Sequence, residues 1–163
     1  MEIVAQHLHQ EAIHRTSPIE RDLFGRSAFN RYYYSMFIEV RASLAMLRPE
    51  WSRLAHAAIP DLLKGKVKDE LKRGRKRAEK MGDFDVVSLC ESALSATEAL
   101  AKLMEQGYAT RVTADYYPDI PVDFLSANDF QLNTVSVKKA QAWPHRASAF
   151  LKTITSAWKQ LNA

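Results

Sequence analysis

The sequence predicts an all-α fold, an up-down bundle of four main helices with one or two short ones, and three observations predict it. Between Pro18 and Leu47, the residues Phe29, Tyr33, Met36, Phe37, Val40, Leu44 and Leu47 fall on one stripe of a helix. From Val86 to Thr110, the residues Val87, Cys90, Leu94, Thr97, Ala101, Met104 and Tyr108 recur every three or four positions, a seam that packs on another helix. Only five glycines occur in 163 residues, and runs of alternating polarity are few. With 47% hydrophobic side chains, the chain is long enough for one domain with its own core, spanning 1–163.

Residues 2–15 form a short first helix with Ile3, Val4, Leu8 and Ala12 at helical spacing. His7, His9 and His14 cluster on it, but no carboxylate or thiolate completes a metal set, so a solvated helix is expected and no metal or cofactor is predicted. Thr16-Ser17-Pro18 with Glu20 starts the long helix, a capping hydroxyl ahead of a proline in the first turn. Arg48-Pro49 ends it, and Trp51 to Leu63 reads as a shorter helix closed by Lys64-Gly65, carrying His56 on the same face as Leu63.

Lys66 to Lys80 holds eight of the 23 basic residues, among them Lys72, Arg73, Arg75, Lys76 and Arg77. The run has no aromatic residue for base stacking, so it would position a nucleic acid rather than read it, and Gly74 marks a place for fraying. A solvated helix face is the simpler account of the same charges. Met81-Gly82-Asp83 is a turn. Arg111 to Asn133 breaks the helical pattern, with Pro118, Pro121 and an alternation at Val122 and Phe124, and reads as a long ordered loop. Thr134 to Leu161 is the last helix, with Trp143, Ala147, Phe150, Ile154, Ala157 and Leu161 buried and Pro144 forcing a kink or a restart.

The net charge of +4 favours an anionic partner without identifying one. A single cysteine, Cys90, excludes an internal disulfide and sits in a core stripe, consistent with a reducing compartment such as the cytoplasm. No apolar run approaches the ~18 residues that span a bilayer, so no membrane partner is expected. Phosphate loops, nucleophile elbows and paired-carboxylate metal sets are all missing from the sequence.

The face of the long helix opposite its core stripe carries Ser27, Arg31, Tyr34, Ser35, Ile38, Ala42 and Ala45. Small and semi-apolar residues around one cation are unlike a solvated face, so either another helix of the chain or a second subunit covers it; the second subunit is favoured, with Ser27, Arg31, Tyr34, Ile38 and Ala42 as the contact.

Asn30-Arg31-Tyr32-Tyr33-Tyr34-Ser35-Met36-Phe37 resembles the Ser-Arg-x-Tyr-Tyr-x-x-Phe-His helix of HEPN domains, the "higher eukaryotes and prokaryotes nucleotide-binding" superfamily. Arg111-Val112-Thr113-Ala114-Asp115-Tyr116 is similar to that family's Arg-x-x-Ala-Asp-Tyr segment, and Ser136 to Ala140 with Arg146, Ala147 and Phe150 to its last helix. The likeness covers about residues 18–160. It implies a helical bundle that dimerises through the Arg31 face, and kinship with metal-independent RNases of toxin–antitoxin, phage-defence and CRISPR-linked systems. In those relatives an arginine followed four to six residues later by histidine forms the active centre. Here Ile38 stands where that histidine is expected. An alkyl group neither accepts nor donates the protons that RNA cleavage requires.

Three readings follow. One is an RNA-binding or partner-binding component of a defence or toxin–antitoxin operon, without classical cleavage. The alternative is an RNase that uses Arg31 and Tyr34 with a histidine from elsewhere, such as His56. A purely structural module, with Arg31 paired to a carboxylate across the dimer, is a third. An antitoxin or a nucleotidyltransferase is the protein partner that the resemblance implies.

Overall fold

The computed structural model describes residues 1–162 and is mostly helical, with one small antiparallel sheet. The chain divides into two compact units, residues 1–38 with 106–145, and residues 39–105 with 146–163. Among the described residues, no helix is long and apolar enough to cross a membrane.

The first unit begins with α1 (Glu2–His14) and takes its centre from α2 (Pro18–Leu47). Pro18 opens α2 with the Ser17 hydroxyl accepting the Glu20 N–H at 3.5 Å, so the start and end of this helix fall where capping and Arg48-Pro49 put them. Phe29, Tyr32, Tyr33 and Met36 are wholly buried. A methyl group at Gly107, on the last part of α5 (Phe84–Tyr116), would come within 2.7 Å of Met36 and 3.0 Å of Tyr33. Only glycine lets that helix approach so closely.

Three strands follow α5, namely β1 (Val122–Ser126), β2 (Asp129–Leu132) and β3 (Val135–Ser136), in the order β1-β2-β3. Val122 pairs with Leu132 and Phe124 with Phe130, a bulge lies between Phe124 and Ser126, and Asn133 turns the chain with φ 57°. The sheet is an addition to a fold that is mostly helical as expected, and it replaces part of the expected loop over 111–133, whose first residues, 111–116, continue α5. Alternation places Val122, Phe130 and Leu132 on one buried face, and strands of five, four and two residues are too short to stand out against the helices.

Phe130 also explains α1. His9, Ala5 and Ala12 are buried, while Ile3 is 82% exposed, so the inward face of α1 is not the stripe of Ile3, Val4 and Leu8 nor a fully solvated one. The His9 ring packs edge-on against Phe130 with centroids 5.2 Å apart, and its Nδ1 lies 3.3 Å from the Tyr32 hydroxyl. The unit closes with α6 (Val137–Gln141), capped by the Ser136 hydroxyl, and the first residues of α7 (Trp143–Leu161). Pro144 therefore marks a restart, where the missing N–H of a first helical turn costs nothing.

The second unit contains the end of α2, a 3-10 turn over Pro49–Arg53, α3 (Ala58–Leu62), α4 (Lys68–Met81), most of α5 and most of α7. Lys64-Gly65 does not close a helix. The backbone passes from α3 through one π-helical turn, Leu63–Val67, directly into α4, because Gly65 keeps a helical rather than a left-handed conformation. Gly82 takes the left-handed role instead, with φ 72°, and ends α4. Gly74 is no fraying point, since it is buried where Leu161 lies across α4. Val40, Leu44, Ile59, Leu71, Leu100 and Ile154 are wholly buried here, and Trp51 meets Trp158 edge-on at 5.6 Å.

Candidate functional site

Two of the three segments likened to HEPN motifs, about eighty residues apart in sequence, meet in the first unit. Asn30 Nδ2 donates to Asp115 Oδ1 at 2.6 Å, and Arg111, one turn earlier on α5, brings its Nε to 2.8 Å from Asp115 Oδ2. That second contact is ionic rather than an aligned hydrogen bond, because the Arg111 Nε–H has no acceptor in bonding geometry. The Arg111 guanidinium also lies 5.3 Å from the Tyr116 ring and 6.0 Å from the Tyr34 ring. Burial pulls Arg111 towards losing its proton, but Asp115 and the Tyr116 hydroxyl outweigh it, and the net shift is upward. Arg111 is a fixed charge.

Over this pair opens a cleft of about 280 Å³ lined by Leu23, Arg26, Ser27, Asn30, Arg31, Ala114 and Asp115. Arg26 forms its inner wall, 8% exposed. It pairs with Asp22 at 2.6 Å and donates to the carbonyls of Thr113, Ala114, Tyr117, Pro118 and Ile120. These oxygens lie at the end of α5 and along the strap after it, and those of Thr113 and Tyr117 also accept the N–H groups of Tyr117 and Ile120, so Arg26 adds a donor to the helix end and ties the strap to it. Asp22 is likewise committed, its second oxygen accepting the Val122 N–H at 2.8 Å.

With Arg26 matched to Asp22 and Arg111 to Asp115, one cation at the cleft is left over. Arg31 is exposed and makes no hydrogen bond or ion pair to a described residue. Such an arrangement can hold one anion at the cleft mouth. It offers little for proton transfer. Burial pushes the Tyr32 hydroxyl up to about 12 and the Tyr33 hydroxyl higher still, and no histidine lines the cleft.

Tyr34 lies one turn from Arg31 on α2 and is half-buried. His56 belongs to the second unit, half-buried between the 3-10 turn and α3. Of the predicted dimer contacts, Ser27, Arg31 and Ile38 are exposed in the first unit, and Ala42 is exposed on the part of α2 that belongs to the second.

The basic run is divided by its own acids. Arg73 reaches Glu70 at 2.7 Å, and Arg75 reaches Glu91 at 3.3 Å and Glu79 at 3.8 Å. Lys72, Lys76 and Arg77 are exposed and pair with no carboxylate among the described residues. Cys90 is buried, and burial pushes its thiol up, as expected of a core residue rather than a nucleophile.

Sequence reasoning missed Arg26 altogether and did not join Asn30 to Asp115. The one local signal for Arg26 was Asp22 four residues before it on a helix. The class that fold and cleft define is therefore a mostly helical protein with a polar, arginine-lined cleft in its first unit. No family model, curated protein or solved structure matches the chain.

Proposed function

We propose that the chain is a HEPN-like module that binds RNA through its phosphates without cutting it, as a homodimeric component of a toxin–antitoxin or phage-defence system. The observation that carries this reading is the Asn30–Asp115–Arg111 linkage, which ties together the two motif segments and leaves Arg31 unmatched beside them. A free guanidinium at a cleft mouth suits a phosphodiester, which it can grip with two parallel N–H groups. Ile38 supports holding rather than cutting, since it stands in place of the imidazole that would shuttle protons. In the second unit, Lys72, Lys76 and Arg77 add charge that needs no particular geometry to attract a polyanion.

The test is a labelled tRNA and a mixed RNA pool, incubated with the purified protein in EDTA and followed by both fluorescence anisotropy and gel. Expected are saturable, salt-sensitive binding, intact RNA, and about tenfold weaker binding by Arg31→Ala, the worth of a charged hydrogen bond. Metal-independent cleavage abolished by both Arg31→Ala and His56→Ala would establish the nuclease alternative. Binding indifferent to Arg31→Ala removes the cleft from the function.

A further inference from the structure

The first unit holds a second hollow, of about 440 Å³, between the first turns of α2 and the strap that leads into β1. Ile19 and Leu23 wall it on one side, Pro118, Pro121 and Phe124 on the other, and Arg21 lies among them. Ile19 is 74% and Leu23 58% exposed. A lone exposed leucine needs no explanation, but apolar side chains converging on a concavity do. The volume falls in the range of small-molecule sites, roughly 300–1,000 Å³.

Arg21 gives this hollow its polarity. Its guanidinium carbon stands 3.7 Å from the centroid of the Phe124 ring, and its Nε is enclosed without a hydrogen-bond partner. It forms no ion pair with a described residue, and Asp22, which also lines the hollow, is taken up by other partners. Asp22 holds Arg26 and the Val122 N–H, and Glu20 lies 4.0 Å from Arg15. Stacking on an aromatic face holds a guanidinium by its flat side and leaves its edge N–H groups for a ligand.

We propose that this hollow binds a small apolar carboxylate, its body between Leu23, Pro121 and Phe124 and its carboxylate on the fork of Arg21. One planar cation matches one planar monoanion with two N–H···O bonds. A dianion would leave a charge uncompensated against proline and phenylalanine, at a desolvation cost nothing there returns. The hollow is too small for a helix, and no second cation is present in it for an extended acidic peptide.

The probe is 4-phenylbutyrate, with its primary amide as the uncharged counterpart, titrated into the isotope-labelled full chain and read by amide chemical shifts. Expected are saturable shifts confined to residues 18–24 and 118–124, with binding roughly tenfold weaker or more for the amide and for Arg21→Met. Ile19→Asp, which sets a competing carboxylate beside Arg21 at a mostly exposed position, is expected to abolish binding and carries the test alone if Arg21→Met does not fold. The proposal is overturned if no saturable shifts occur, if amide and acid bind alike, or if binding survives Ile19→Asp. It is also overturned if these residues shift with protein concentration in the absence of ligand, which would make the hollow a contact between copies of the chain.

Discussion

Two buried side chains in the first unit set measurable properties of the fold. Arg26 donates to five backbone carbonyls and to Asp22 at once, so Arg26→Met leaves the half-buried Asp22 carboxylate without its cation and the carbonyls of Ala114, Pro118 and Ile120 without this donor. The expected loss is about 3 kcal/mol or more, read by denaturant unfolding, and a change under 1 kcal/mol would show that water replaces the guanidinium freely. His9 is a pH sensor of stability. Burial lowers its pKa below the ordinary 6.5, with Asp129 opposing and Lys138 reinforcing that shift. The folded state then binds fewer protons than the unfolded one, so stability is full above 6.5 and falls as pH drops from there towards the folded pKa. His9→Leu is expected to flatten the pH dependence of the melting temperature below pH 6.5. An unchanged slope would place the sensitivity in another group. When neutral, the His9 ring accepts a hydrogen bond from the Tyr32 hydroxyl at Nδ1 if it keeps its own proton on Nε2.

At the scale of elements, α4 shows how a charge run divides its labour. Arg73 and Arg75 lean on Glu70, Glu79 and Glu91, surface pairs worth little each, whereas Lys72, Lys76 and Arg77 remain available to solvent or a polyanion. Neutralising those three together, as Lys72→Gln with Lys76→Gln and Arg77→Gln, is expected to reduce the salt slope of RNA binding by roughly 2, about 0.7 for each phosphate contact to a single strand. A slope unchanged from the parent would mark the run as a solvated face only. The elements also show what patterning reveals and hides. The ends of α2 were legible because Ser17-Pro18 and Arg48-Pro49 act within one turn. The π-helical turn after α3 was not, because Gly65 is compatible with both a helix and its end. The three strands were signalled only by Val122 and Phe124, then Phe130 and Leu132, and alternation over four residues is weak beside helical stripes thirty residues long.

At the scale of the whole molecule, the open question is what meets the Arg31 face of α2. Ile38 is 40% exposed and shares that face with Ser27 and Arg31, which are exposed as well. As the proposed dimer contact, it predicts that Ile38→Asp shifts sedimentation from dimer to monomer at the same concentration while leaving the helical signal nearly unchanged. A parent chain that sediments as a monomer throughout the concentration range would remove the dimer from the proposal. Helical class, the extent of α2, and the residues that carry the family resemblance were all determined by the sequence, because hydrophobic period and capping are local and are written in consecutive residues. The meeting of Asn30 with Asp115, the burial of Arg26 among distant carbonyls and the hollow around Arg21 were decided only by the tertiary structure. Each depends on segments eighty or more residues apart being brought within hydrogen-bonding or stacking distance, and no spacing along the chain encodes that approach.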